Sequence, residues 1–311
     1  MTSSSVKFEI DEDFIAGILV SVVCLVGMLL MGLVILGSYR IPSMKSPFGI
    51  LTINQNLAEY VACLACLLAF FFGYTLNLEA VIRYSRFIGG VTIVMLHIIL
   101  ASFLLISLNR LCAILFPLAY KYIFDQKFLT ALLVSNWLVP LICSLYLLVF
   151  RDCTFELYHY GWYFNEVQNE NCGSSLLLYR VYPQLFLICS MLSADLLTLI
   201  LLLVLRKRIF KLKSAETKRR EMNFARQVLV QGFVFLMHGF WYENGRKWMP
   251  EMSENWKNFW TTSFSSNLLH VFDPAIVFIC NIEFRTWLLK PRRTREIRKT
   301  ISIGAVSTSM N

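Results

Sequence analysis

Apolar residues run along this chain in blocks about as long as a bilayer is thick, and polar segments separate them. Seven such blocks stand at residues 14–37, 49–73, 87–108, 128–150, 183–205, 222–242 and 259–282. An apolar helix needs roughly 20 residues to cross the hydrocarbon core, and inside lipid every backbone amide must find its partner within the chain. The pattern therefore predicts an all-α membrane protein that crosses seven times. The sixth block is the weakest: its charge-free part runs only from 227 to 242, and it must borrow Arg226 or the turn before it to reach across. Ser, Thr, Asn, His and Asp interrupt the seventh.

Composition agrees with the pattern. Of the 311 residues 57% are hydrophobic and 16% charged, against about 45–50% and 25% in soluble domains. The net charge of +9 does not mark a nucleic-acid binder, because the basic residues fall between apolar blocks and not on one soluble unit. They are distributed unequally: 21 Lys and Arg lie after blocks one, three and five and in the C-terminal tail, and eight elsewhere. By the positive-inside rule the N-terminus is outside and the tail cytoplasmic. The expected organisation is an extracellular tail at 1–13, a transmembrane domain at 14–283, an interfacial amphipathic helix at 284–290 and a disordered cytoplasmic tail at 291–311. In the amphipathic helix Phe284, Trp287 and Leu288 share one face.

Polar residues inside the blocks are the candidates for function. A carboxylate within hydrocarbon costs at least about 2.5–3.5 kcal/mol on insertion scales, so Glu59, Asp195 and Asp273 should face the bundle interior. Glu59 either binds a cation or proton or belongs to a structural network with Asn54 and Asn56. Asp273 precedes Pro274, where a missing backbone bond makes a hinge and the acid can hold the kink or a cation. Three acids at depth also fit an ion or proton transporter. His97 has no second His or Cys at i+3 or i+4, which speaks for a hydrogen-bonded core residue and against metal.

At the inner end of the third block stand Asn109 and Arg110. The arginine is either an anchor at the lipid headgroups or a switch read by a cytosolic partner. Of nine cysteines, only Cys153 and Cys172 fall in a long outward loop exposed to an oxidising medium, and they are expected to pair; two free thiols are the alternative. Closed in this way, the loop would carry Tyr158, His159, Trp162, Tyr163 and Phe164 as an aromatic lid. No nucleophile–base constellation, phosphate loop or metal-ligand spacing appears, so neither an enzyme nor a bound cofactor is expected.

Taken together these stretches resemble the rhodopsin-like seven-helix G-protein-coupled receptors and, within them, the nematode serpentine receptor class X chemoreceptors. The carrying residues are Phe48-Gly49 through Asn54-Gln55 to Glu59, Asn109-Arg110 through Pro117 to Tyr120, Cys153 and Cys172 around Trp162, Gln227 with Gln231, and Asp273 through Asn281 to Arg285. The resemblance implies a plasma-membrane receptor of sensory cilia that binds a small-molecule ligand and activates a heterotrimeric G protein, with membrane lipid its other contact. It assigns Arg110 the gating of the inner cavity, with Asn109 where many such receptors carry an acid. It also implies a switch at Asp273 and Pro274 where most carry Asn-Pro, with Val277 in place of their tyrosine. The seventh block has no lysine, which argues against a retinal Schiff base. His97, Asp195, His238 and His270 are the expected ligand contacts in the outer half. A receptor-like protein that does not signal is a further alternative.

Overall fold

The computed structural model describes residues 11–158, 160–167, 172–212 and 215–289. The expected terminal tails up to residue 10 and from 290 onward, and His159 of the lid, lie outside the described residues. Seven long helices form the bundle: α1 (Glu12–Arg40), α2 (Pro47–Leu67, continued through Leu68–Thr75 in wide π turns), α3 (Ser85–Leu115), α4 (Gln126–Phe150), α5 (Tyr182–Leu212), α6 (Ala215–Trp248) and α7 (Ser265–Cys280). An eighth, α8 (Ile282–Leu289), follows the last.

Helix ends follow local chemistry. Asp11 precedes α1 and accepts from the Asp13 amide at 3.2 Å, Ser46 caps α2 ahead of Pro47, and Asp125 caps α4 by accepting from the Phe128 amide at 2.9 Å. Each satisfies an amide that has no partner within its own helix. Six helical stretches among the described residues are long and apolar enough to cross a membrane. The sixth block is the exception that the sequence marks, and it is helical all the same. At 34 residues and 1.5 Å per residue α6 is about 50 Å long, enough to carry its basic first turns beyond the hydrocarbon.

Large apolar side chains on the outside, such as Leu29, Val139 and Phe186, remain exposed, as expected of a multi-pass membrane protein. Inside, the core is layered along the bundle axis. Val20, Cys24, Phe70 and Phe259 pack near one end; Ala58, Ile98, Ile99 and Met191 fill the middle; Val34, Phe48, Ile106, Val277 and Phe284 pack near the other. Phe284 of α8 is fully buried and Trp287 packs beside it, whereas Leu288 is exposed. The apolar face expected of this helix is thus divided between the bundle and its surroundings.

Between α4 and α5 the chain forms a hairpin, β1 (Phe155–Tyr158) antiparallel to β2 (Tyr163–Glu166), with Tyr158 opposite Tyr163. Cys153 and Cys172 are joined by a disulfide at its base. The turn places Gly161 at φ 109° and Trp162 at φ 49°, left-handed values that favour glycine and cost a tryptophan about 1 kcal/mol. What holds Trp162 there is its burial against Trp256 and Phe259, together with a hydrogen bond from its indole to Asp13 at 2.6 Å. The hairpin is tied to four parts of the bundle: to Asp13 of α1, to Tyr74 of α2 (3.1 Å to the Tyr158 carbonyl), to Ser85 of α3 (3.1 Å from the Leu157 amide) and to Ser263 before α7 (2.6 Å to the Trp162 carbonyl). Gly89 is required for this seating, since a Cβ there would stand 2.0 Å from the Phe155 carbonyl oxygen.

Candidate functional site

At the end of the bundle opposite the hairpin, the guanidinium carbon of Arg110 lies 3.5 Å from the centre of the Phe48 ring. A cation over an aromatic face gains about 0.5–2 kcal/mol, the larger value when desolvated. Asn109 is buried and points elsewhere: its amide and the Tyr120 hydroxyl exchange contacts at 3.0 and 3.3 Å. Tyr120 belongs to a short helix, Tyr120–Ile123, in the following loop, and burial holds its phenol above the ordinary tyrosine range. Asn109 thus fastens the loop, while the first turn of α2 receives the arginine. Phe48 was visible in the sequence as a neighbour of Gly49 but carried no sign of this partnership.

In the middle of the bundle, Gln55 donates through Nε2 to Glu59 Oε1 at 3.0 Å and also to Asp273 Oδ2. Gln231 of α6 donates to Asp273 Oδ1 at 2.6 Å and accepts from Gln227 at 3.3 Å. Helices α2, α6 and α7 therefore meet at one carboxylate, directly before Pro274. All of these side chains are buried, and two carboxyl groups so close require donors, a proton or a small cation to offset their repulsion. Two amide donors face Asp273; Glu59 Oε2 has none among the described residues.

The expected network of Asn54, Asn56 and Glu59 is not one network. Asn56 donates to the Thr52 carbonyl of its own helix at 2.8 Å. Asn54 donates to Ser102 of α3 at 2.8 Å and accepts from the Trp137 indole of α4 at 2.7 Å. Five residues along a helix turn the side chain through about 140°, whereas four return it to the same face. Gln55 is therefore the residue that reaches Glu59, and Asn54 faces α3 and α4. Asn136, which the sequence did not single out, joins this second network through Ser102 at 2.9 Å.

The four expected ligand contacts are dispersed. His238 lies 3.4 Å from the Ser266 hydroxyl and 3.5 Å from that of Ser265, on the wall of a crevice of about 790 Å³ between α6 and α7 lined by Trp241, Trp260, Phe264 and Leu268. His270 does not line that crevice. His97 lines a smaller cleft between α3, α4 and α5. Asp195 lies near Ser107, one turn from Arg110, and its Oδ2 stands 2.8 Å from where a Cβ on Gly232 would be, so it lies toward the Arg110 end and apart from both cavities. The three acids do not share a place either: Glu59 and Asp273 meet, and Asp195 does not join them. Among the described residues no group of three His, Cys, Asp or Glu could hold a metal ion.

The family model described as "Serpentine type 7TM GPCR chemoreceptor Srx" matches residues 22–281. The chain is 44% identical over 280 residues to serpentine receptor class X-43 of Caenorhabditis elegans, an alignment covering 90% of this chain and 88% of the relative. It is 26% identical over 278 residues to serpentine receptor class X 45 of the same nematode, covering 83% and 76%. Among solved structures, that of squid rhodopsin superposes with a TM-score of 0.68 at 14% identity, covering 93% of this chain and 90% of the other. At that identity the likeness concerns the fold.

Proposed function

The chain belongs to the Srx family of serpentine seven-transmembrane G-protein-coupled chemoreceptors, and from that premise we propose that it is a chemosensory receptor for a small molecule that activates a heterotrimeric G protein. In this reading it lies in the plasma membrane of a sensory cell, with the hairpin end outside and the Arg110 end in the cytoplasm. The observation that carries the proposal is the position of Arg110, a guanidinium stacked on Phe48 at the rim of the end that would face the G protein.

Ligand binding and G-protein binding are coupled by population shift. A ligand that prefers one arrangement of the helices and an α-subunit that prefers the same one each raise the other's affinity. The crevice beside His238 offers the larger volume and an apolar wall, and it suits a largely apolar ligand with one polar contact. Asp273 is placed to transmit the rearrangement, because Gln55 of α2 and Gln231 of α6 both bond to it on α7. A transport path through the acids is less well supported, since Asp195 stands apart from the other two.

The test is to express the full chain with a heterotrimeric G protein, screen small volatile and water-soluble compounds, and compare wild type with Arg110→Ala at equal surface density. The expected result is agonist-dependent nucleotide exchange in the wild type and its loss in the variant. Undiminished exchange in Arg110→Ala removes the assigned role.

A further inference from the structure

Near its Arg110 end α3 presents two faces to two different helices. Ile106 belongs to the core layer that holds Phe48 of α2, whereas Ser107 is buried and lies near Asp195 of α5. At 100° per residue Arg110 stands about 40° from Ile106 on one side and about 60° from Ser107 on the other. A long side chain on a helix leans back over the turn before its own Cα, so the guanidinium covers this turn and has both neighbours within reach. In the arrangement described it takes the α2 side and stacks on Phe48.

On the other side stands an acid that the receptor reading has not used. Asp195 is buried at 7% exposure, and its Oδ1 meets no donor among the described residues. Its Oδ2 lies against Gly232, whose missing Cβ leaves it room, so the carboxyl sits in the seam of α3, α5 and α6. Leaving a buried acid without a donor is costly, and a cation that reaches it removes the cost. Arg110 is one turn from Ser107 and leans toward it. Arg226 of α6 stands six positions before Gly232, about 9 Å along the axis and about 120° round it, and is exposed. Every other Lys or Arg of these three helices lies eleven or more positions along its helix from Ser107, Asp195 or Gly232, which is at least about 16 Å.

We propose that Asp195 is the second partner of Arg110: in the arrangement that admits the G protein the guanidinium leaves Phe48 and pairs with this carboxylate, which releases α3 from α2 and fastens it to α5. The proposal rests on the receptor reading above and adds the residue that receives the arginine. A guanidinium–carboxylate bond is charge-assisted and directional, so the arginine has two defined positions one turn of α3 apart in their neighbours, an aromatic face and an acid. Two discrete positions of one side chain, each tied to a different helix, are what a population shift acts on.

The test is a double-mutant cycle on the purified full chain between Phe48→Leu, which removes the ring face, and Asp195→Asn, which keeps the shape of the acid and removes its charge. Thermal unfolding in detergent needs no G protein. Asp195→Asn should leave the wild-type melting temperature unchanged or raise it, and should lower that of Phe48→Leu by at least about 3 °C, because only there has the arginine moved to the acid. An acid with a merely structural role would shift both alike. With a heterotrimeric G protein, agonist-free nucleotide exchange should rise about fivefold in Phe48→Leu, fall to within about twofold of wild type when Asp195→Asn is added, and recover with Asp195→Glu in its place. Phe48→Met is the second release variant should Phe48→Leu fail to fold. The unfolding coupling should vanish in Arg110→Gln and persist in Arg226→Gln. Equal melting shifts in the two backgrounds, or a coupling that persists in Arg110→Gln, overturn the proposal. A coupling without nucleotide exchange in any chain supports the pair and counts against the receptor reading instead.

Discussion

Arg110 at the end of α3 is held over the face of Phe48, in the first turn of α2, at 3.5 Å. Its sequence neighbour Asn109 carries no charge and is occupied with Tyr120. The arginine thus joins α3 to the first turn of α2, and the asparagine joins α3 to the loop that follows it.

Replacing Phe48 by Leu keeps the apolar volume and removes the ring face. About 1 kcal/mol of cation–π attraction is lost, and since 1.4 kcal/mol is a factor of ten, agonist-free nucleotide exchange should rise about fivefold. Basal exchange measured in membranes at equal receptor density checks this. A basal rate equal to that of the wild type would mean that the stacked arginine does not hold the resting arrangement.

Asp273 depends on Gln231 for one of its donors. Gln231→Leu leaves a buried carboxylate oxygen without it and should cost about 2–3 kcal/mol of stability. In the double variant Gln231→Leu with Asp273→Leu much of that cost should disappear, giving a coupling of about 1–3 kcal/mol. Thermal unfolding of the detergent-solubilised chain supplies the four stabilities needed. Additive effects would show that α6 and α7 are not joined through this pair.

Gly89 lets the hairpin lie against α3. In Gly89→Val the side chain would occupy the space of the Phe155 carbonyl, and overpacking of this kind costs about 1–3 kcal/mol. The Leu157 amide, which donates to Ser85, should then exchange its hydrogen faster while amides in the middle of α3 do not. Unchanged exchange at Leu157 would contradict the seating described above.

The Cys153–Cys172 bridge spans 19 positions. Chain-entropy arguments give a closure of that length about 3 kcal/mol, so Cys153→Ser with Cys172→Ser should lower the melting temperature and surface yield. Non-reduced peptide mapping should also recover the two cysteines linked. Recovery of both as free thiols would refute the pairing.

How much of this was legible beforehand differs from residue to residue. The helices were, because lipid imposes one period and one minimum length on any crossing, and even the charge-rich α6 was found where its apolar segment stood. That Glu59 and Asp273 face the bundle interior was legible too, because a charge at membrane depth is expensive wherever its partner is, and both are buried. Their partners were not. Gln55 and Asn54 are adjacent and chemically alike, yet one reaches Glu59 and the other reaches Ser102 and Trp137, and only the rotation of α2 between α3, α4 and α7 decides which.

By itself, then, the sequence determined the elements and the list of costly residues, since both follow from transfer of local groups into hydrocarbon. Tertiary structure alone decided that Phe48 receives Arg110, that two of the three acids meet while Asp195 stands apart, and that His97 and His238 line different cavities. Such choices depend on helix rotation and depth, which are set by contacts between residues far apart in the chain. Asp13 holds Trp162 across 149 positions, and no local pattern encodes a contact of that span.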